Sequence, residues 1–182
     1  MPRVILIVST AATVMLVIAA VFFSGGGEIG AIDRAAMKHV TLGEYVQARV
    51  VWEAGLGKYP DSAKLNYGLG TLVAVRGELA EARRLLERAA TLSPKTPEYR
   101  KELGICHLRD GRLADAEHEL KEVLRLNDEW PETHFYLGMV YERQGRPELA
   151  MKEYVKEVNV NSCCTFAWAK IFDADRSGAA EE

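Results

Sequence analysis

The chain has 182 residues, 48% of them hydrophobic and 27% charged, with 23 basic against 26 acidic side chains and a net charge of −3. Bases and acids alternate along the same segments, so no basic stripe of the kind a nucleic-acid surface needs is present. Three cysteines, an odd number, argue against a disulfide framework.

Val4 to Phe23 is a run of 20 residues without a charge. As a helix it would be about 30 Å long, the hydrocarbon thickness of a bilayer, so residues 1–24 are expected to form a transmembrane anchor. The competing reading is a cleaved secretory signal, with Arg3 as its positive region and small residues at Ala19, Ala20 and Ser24. An apolar core longer than the usual ~7–15 residues favours the anchor. Arg3 on one flank and Arg34 and Lys38 on the other weigh little on orientation. The common arrangement puts a single-pass chain in the inner membrane, its soluble part extracytoplasmic. Residues 25–28 are a Gly-rich linker that lets the following domain swing.

From residue 29 the chain repeats with a fixed period of 34. Leu69 to Leu86 (LGTLVAVRGELAEARRLL), Leu103 to Leu120 (LGICHLRDGRLADAEHEL) and Leu137 to Tyr154 (LGMVYERQGRPELAMKEY) align without gaps, and Ala35 to Trp52 aligns more loosely. Gly43, Gly77, Gly111 and Gly145 share one repeat position, and Ala48, Ala82, Ala116 and Ala150 another. A fixed period of this length means an array of identical supersecondary units. Each unit splits into two amphipathic stretches of about 12–15 residues around the repeat glycine, which predicts a helical hairpin. The units run 29–62, 63–96, 97–130 and 131–164. Small residues at Gly70, Gly104 and Gly138 let the second helix approach the first, and Trp52, Leu86, Leu120 and Tyr154 fill the space beside it. Gly55 and Gly57 inside a predicted helix, each costing about 1 kcal/mol of propensity, make the first unit the loosest expected. Glu157 stands at a repeat position otherwise held by small residues, and Asp128 and Ser162 stand where Pro60 and Pro94 close the earlier units.

Residues 165–174 start again like a first helix, with Trp168 and Ile171 at the large positions but no second helix to follow. They are expected to cap the last hairpin, or else to leave an aromatic edge for self-association. Residues 175–182 read as a polar tail.

These residues resemble the tetratricopeptide repeat (TPR) pattern: Leu-Gly in the first helix, Gly at the turn, Ala then an aromatic in the second, Pro near the end. The resemblance covers 29–164. It implies an all-α fold, a right-handed superhelical array of about four hairpins plus the capping helix, and the apolar run adds one expected transmembrane helix before it. It also implies a concave groove lined by the first helices, the family's usual peptide site. The positions that fall on it are Asp33, Tyr67, Lys101 and Phe135; Met37, Thr71, Ile105 and Met139; and Val40, Ala74, Leu108 and Glu142. Tyr67, Thr71, Lys101, Ile105, Leu108, Phe135 and Met139 are the candidate binding residues for a protein or peptide held by a few apolar anchors. The Asn that carboxylate-clamping TPR domains carry in the second row is lacking.

Chemistry is sparse. Cys106 is expected to be a buried hydrophobe, and Cys163-Cys164 an adjacent pair that could bridge only with strain. His39, His107 and His134 fall on packing positions, and no metal, haem or nucleotide motif occurs. No catalytic residue, metal or cofactor is therefore expected. The function expected is a membrane-anchored scaffold or adaptor in assembly of an envelope complex, binding a protein and no nucleic acid. The alternative is a structural protein that self-assembles as a homo-oligomer through its end units and organises a membrane surface.

Overall fold

The computed structural model describes residues 27–178. All regular structure among them is helical: α1 (27–41), α2 (Tyr45–Lys58), α3 (Ala63–Val75), α4 (Leu79–Leu92), α5 (Pro97–Arg109), α6 (Leu113–Leu126), α7 (Thr133–Arg143), α8 (Pro147–Val160) and α9 (Thr165–Gly178).

Odd and even helices up to α8 pair as hairpins, and the turn between the members of each pair has one construction. Gly43, Gly77, Gly111 and Gly145 have φ of +76°, +84°, +76° and +72°. In each, the glycine N–H donates to the carbonyl three residues back, as Gly111 does to Leu108 at 3.2 Å. The next N–H reaches five residues back, as Arg112 does to His107 at 2.9 Å. This double closure satisfies the last carbonyls of the first helix and needs a left-handed residue, which only glycine adopts without strain.

The chain divides into two compact units, one ending at Gly68 and the other beginning at Leu69. In the first, Trp52 is 1% exposed, its indole N–H donates to Asp33 at 3.1 Å, and its ring lies against Gly68. Asp33 also meets Lys64 at 3.1 Å. Gly55 of α2 is buried, and a Cβ there would stand 2.7 Å from Ile32. The glycine that propensity marks as a weakness is a point of close approach between helices.

In the second unit Gly70, Gly104 and Gly138 each receive the large side chain of the following helix, namely Leu86, Leu120 and Tyr154. Leu108, Leu120, Leu137, Val140, Tyr141 and Tyr154 belong to one continuous core under α5 to α8. Helix α9 packs against α8 and buries Ala167 completely, while Phe166, Trp168 and Phe172 stay exposed.

One expectation is corrected. No helix among the described residues is long and apolar enough to cross a membrane, and the single-pass inner-membrane assignment falls with that finding. The segment Val4 to Phe23 on which it rested lies outside the described residues.

Candidate protein-binding face

Helices α5 and α7 are the first helices of consecutive hairpins in the second unit, and they present the same repeat positions side by side. Ile105 on α5 and Met139 on α7 are half-buried, as is Thr71 on α3. Met139 packs against the buried cluster while part of it stays open, the disposition of an apolar anchor. Tyr67, also half-buried, belongs to the first unit.

Leu108 is a correction. It is 2% exposed and forms part of the core with Ala116 and Leu120. Its repeat position lies at the end of the first helix, where the following hairpin closes over it. Arg143 of α7 reaches back to donate to the Leu108 carbonyl at 2.9 Å, sealing the same spot.

Lys101 has its cation engaged: Nζ donates to Glu132 at 3.0 Å and approaches the Pro131 carbonyl at 3.5 Å. It tethers α5 to the loop before α7. Phe135 is the centre of an aromatic group, with ring centroids 5.4 Å from Tyr136, 5.9 Å from Tyr154 and 5.9 Å from Phe166 of α9. Edge-on and tilted contacts at such distances fix ring orientation as well as burying area. Phe166 thus lies at the C-terminal border of the face.

Glu142, one turn beyond Met139, accepts from Tyr154 Oη at 2.7 Å and from Lys170 of α9 at 2.8 Å. Burial works to raise its carboxyl, but hydrogen bonds from Lys170 and Tyr154 prevail and hold it below the usual carboxylate range. Burial, together with the acceptor Glu142, pushes the Tyr154 phenol well up. Beside this pair a recess of about 340 Å³ opens between α8 and α9, walled by Pro147, Met151, Tyr154 and Lys170. It is large enough for one side chain of a bound segment.

Two groups near the face were not singled out by their types. Glu157 is fully buried on α8 and accepts the backbone N–H of Glu132 at 2.9 Å and of Phe135 at 3.3 Å. It caps α7 from a neighbouring helix, which positions Phe135. His134, expected only to pack, meets Glu153 at 2.6 Å and the Asp128 carbonyl at 3.0 Å. The signal for Glu157 was a charged residue where the sister units carry Gly55, Ala89 and Val123, whereas His134 shares its repeat position with the polar Asn66 and Arg100.

Cys106 is buried with Sγ 3.7 Å from the Leu79 carbonyl, and burial pushes its thiol up, which leaves it inert. Cys163 is exposed and Cys164 buried; both are free thiols.

The family model described as tetratricopeptide repeat matches residues 34–97, 76–126 and 101–159, more than half of the chain. The chain belongs to the tetratricopeptide repeat family. A TPR fold is a scaffold for protein interaction. Among solved structures, a crystal structure of MamA is 21% identical, covering 79% of this chain and 84% of that one with a TM-score of 0.72. PilF of Pseudomonas aeruginosa is 18% identical, with 86% of this chain, 72% of that one and a TM-score of 0.79. MamA from Desulfovibrio magneticus RS-1, from residue 41 to its end, is 18% identical, with 75%, 77% and 0.68. At such identities the likeness establishes the TPR fold. No match was found among curated proteins.

Proposed function

We propose that this TPR protein is a scaffold that holds an extended or helical segment of a partner protein along the α5–α7 face of its second unit. Ile105 and Met139 serve as the apolar anchors, Thr71 and Phe135 border them, and Lys101 and Glu142 act by keeping neighbouring elements in place. The observation that carries the reading is that Ile105 and Met139 stay half-open while the charged groups of the neighbouring rows, Lys101 and Glu142, are engaged within the chain. Such a surface gains by burial of apolar area when it is covered.

A photo-crosslinking residue placed at Ile105 or Met139, with His118 on the exposed side of α6 as the control, tests this directly. Adducts of defined partner mass from the first two sites and none from His118 are expected. Equal labelling from all three would remove the reading.

A second reading rests on the open aromatic side of α9, where Phe166 is 70% and Phe172 62% exposed and the Trp168 and Phe172 rings lie 6.1 Å apart. In it the chain associates with its own copies through this end. Sedimentation at rising concentration distinguishes the two. A species that stays monomeric, and is unchanged by Trp168→Ser with Phe172→Ser, excludes self-association.

A further inference from the structure

The fourth residue of each of the units 63–96, 97–130 and 131–164 has a job that becomes visible when the hairpins are compared with one another. Asn66 Nδ2 donates to the Pro60 carbonyl at 3.1 Å, Arg100 Nε to the Pro94 carbonyl at 3.2 Å and His134 Nε2 to the Asp128 carbonyl at 3.0 Å. Each donor sits six residues after its acceptor and pins the loop that precedes its helix. In the last two hairpins the same side chain also grips the second helix. Arg100 Nη1 meets Glu119 of α6 at 2.7 Å, and His134 Nδ1 meets Glu153 of α8 at 2.6 Å. Glu119 and Glu153 occupy one repeat position. The third hairpin closes its clasp with a cation that never loses its charge, the fourth with one that does.

The protons can be placed from the acceptors. A carbonyl oxygen cannot donate, so His134 Nε2 carries a hydrogen. Glu153 accepts from Lys156 on its other oxygen at 2.8 Å, and although burial works to raise its carboxyl, the bonds from His134 and Lys156 hold it below the usual range. Nδ1 therefore donates too, and the closed clasp needs the doubly protonated ring. When the ring loses a proton, a nitrogen lone pair faces a carboxylate across 2.6 Å, or the loop carbonyl loses its donor.

We propose that the His134–Glu153 pair is a proton-operated clasp on the last hairpin, closed when the imidazole is charged and released when it is neutral. It regulates the α5–α7 face by fixing or freeing the first turn of α7. That functional consequence rests on the binding reading above; the clasp itself does not. Of the other groups packed round this turn, Glu157 of α8 holds the backbone N–H groups of Glu132 and Phe135. The Glu132 side chain is taken by Lys101 of α5. Glu117 and Lys121 of α6 engage Tyr141 at the far end of α7, and Lys170 of α9 engages Glu142 there. None of these can replace the histidine as donor to Glu153.

Amide hydrogen exchange of the full-length chain, without any partner, tests the clasp. The protection of the first turn of α7, taken relative to that of α5 to cancel the intrinsic effect of pH, is followed from about pH 5 to about pH 9. The expected result is a fall in that ratio as pH rises across this range. In His134→Arg, which installs the cation of the third hairpin, the ratio is expected to stay flat. Arg100→His should transfer the pH dependence to α5. A flat ratio in the wild type, the same slope in His134→Arg, or no gain of slope in Arg100→His would overturn the proposal. Because no partner is present, failure of the binding reading leaves all three outcomes readable.

Discussion

Gly138 and Gly57 show how the same residue type can be indispensable in one place and a liability in another. A Cβ at Gly138 would stand 2.4 Å from the Tyr154 ring, whereas one at Gly57 would meet nothing within 4 Å. Gly138→Ala is therefore expected to cost about 1–3 kcal/mol by overpacking, measured by urea denaturation. Gly57→Ala should raise stability by about 0.5–1 kcal/mol, the helix propensity that glycine forgoes. Sequence reasoning put Gly55 and Gly57 together as two propensity defects. Helix periodicity says which face a residue is on but not how far away the neighbouring helix is, and that distance separates the two. Leu108 illustrates the same limit: its repeat position falls on the face implied by the family, yet the following hairpin covers it.

At the scale of an element, α7 is the irregular member. Pro97 begins α5, but the equivalent Pro131 lies outside α7, because Glu132 takes φ +64° and the helix starts only at Thr133. The N-terminal N–H groups of that shortened helix find no side-chain cap next to them in the chain. Glu157 supplies the acceptor from α8, and its negative charge suits the positive end of the helix. Glu157→Ala is expected to leave two part-buried N–H groups without their acceptor and to cost about 1–3 kcal/mol, with the loss concentrated in α7 amide protection. Glu157→Gln keeps an acceptor and should cost less than half as much. If the two variants were equal, burial of the side chain rather than capping would be its role. The hairpins, their turns and the close-approach glycines of α3, α5 and α7 were legible from spacing because they repeat. The cap was not, because it occurs once and joins residues 25 apart in the chain.

Over the whole molecule, charge supports the second unit in a way that acid should undo. Glu117 accepts from Lys121 and from Gln144 at 2.9 Å, Glu142 from Lys170 and Tyr154, and Glu153 from His134 and Lys156. For each, burial opposes ionisation but the donors win, so the folded carboxyl lies below its usual value. A depressed folded pKa contributes stability that is present above the unfolded value of about 4.3 and disappears as pH falls through the folded one. Thermal melting should therefore fall steeply below about pH 4, with the second unit losing protection first. Replacing all three by Gln should flatten the acid limb and lower the melting temperature at neutral pH. An acid limb unchanged in that variant would assign the loss to other groups.

The four glycine turns have a consequence for how such a chain can change over generations. Because each is closed by the same pair of backbone hydrogen bonds at nearly the same dihedral angle, a crossover between any two of them rejoins the backbone in an unstrained turn. Recombination can thus add or delete a 34-residue module without first solving a new loop. The last module is the exception. His134, Glu153 and Glu157 work only with the loop that ends at Glu132, so they can be inherited together or lost together, and a crossover between Glu132 and Glu157 breaks the set.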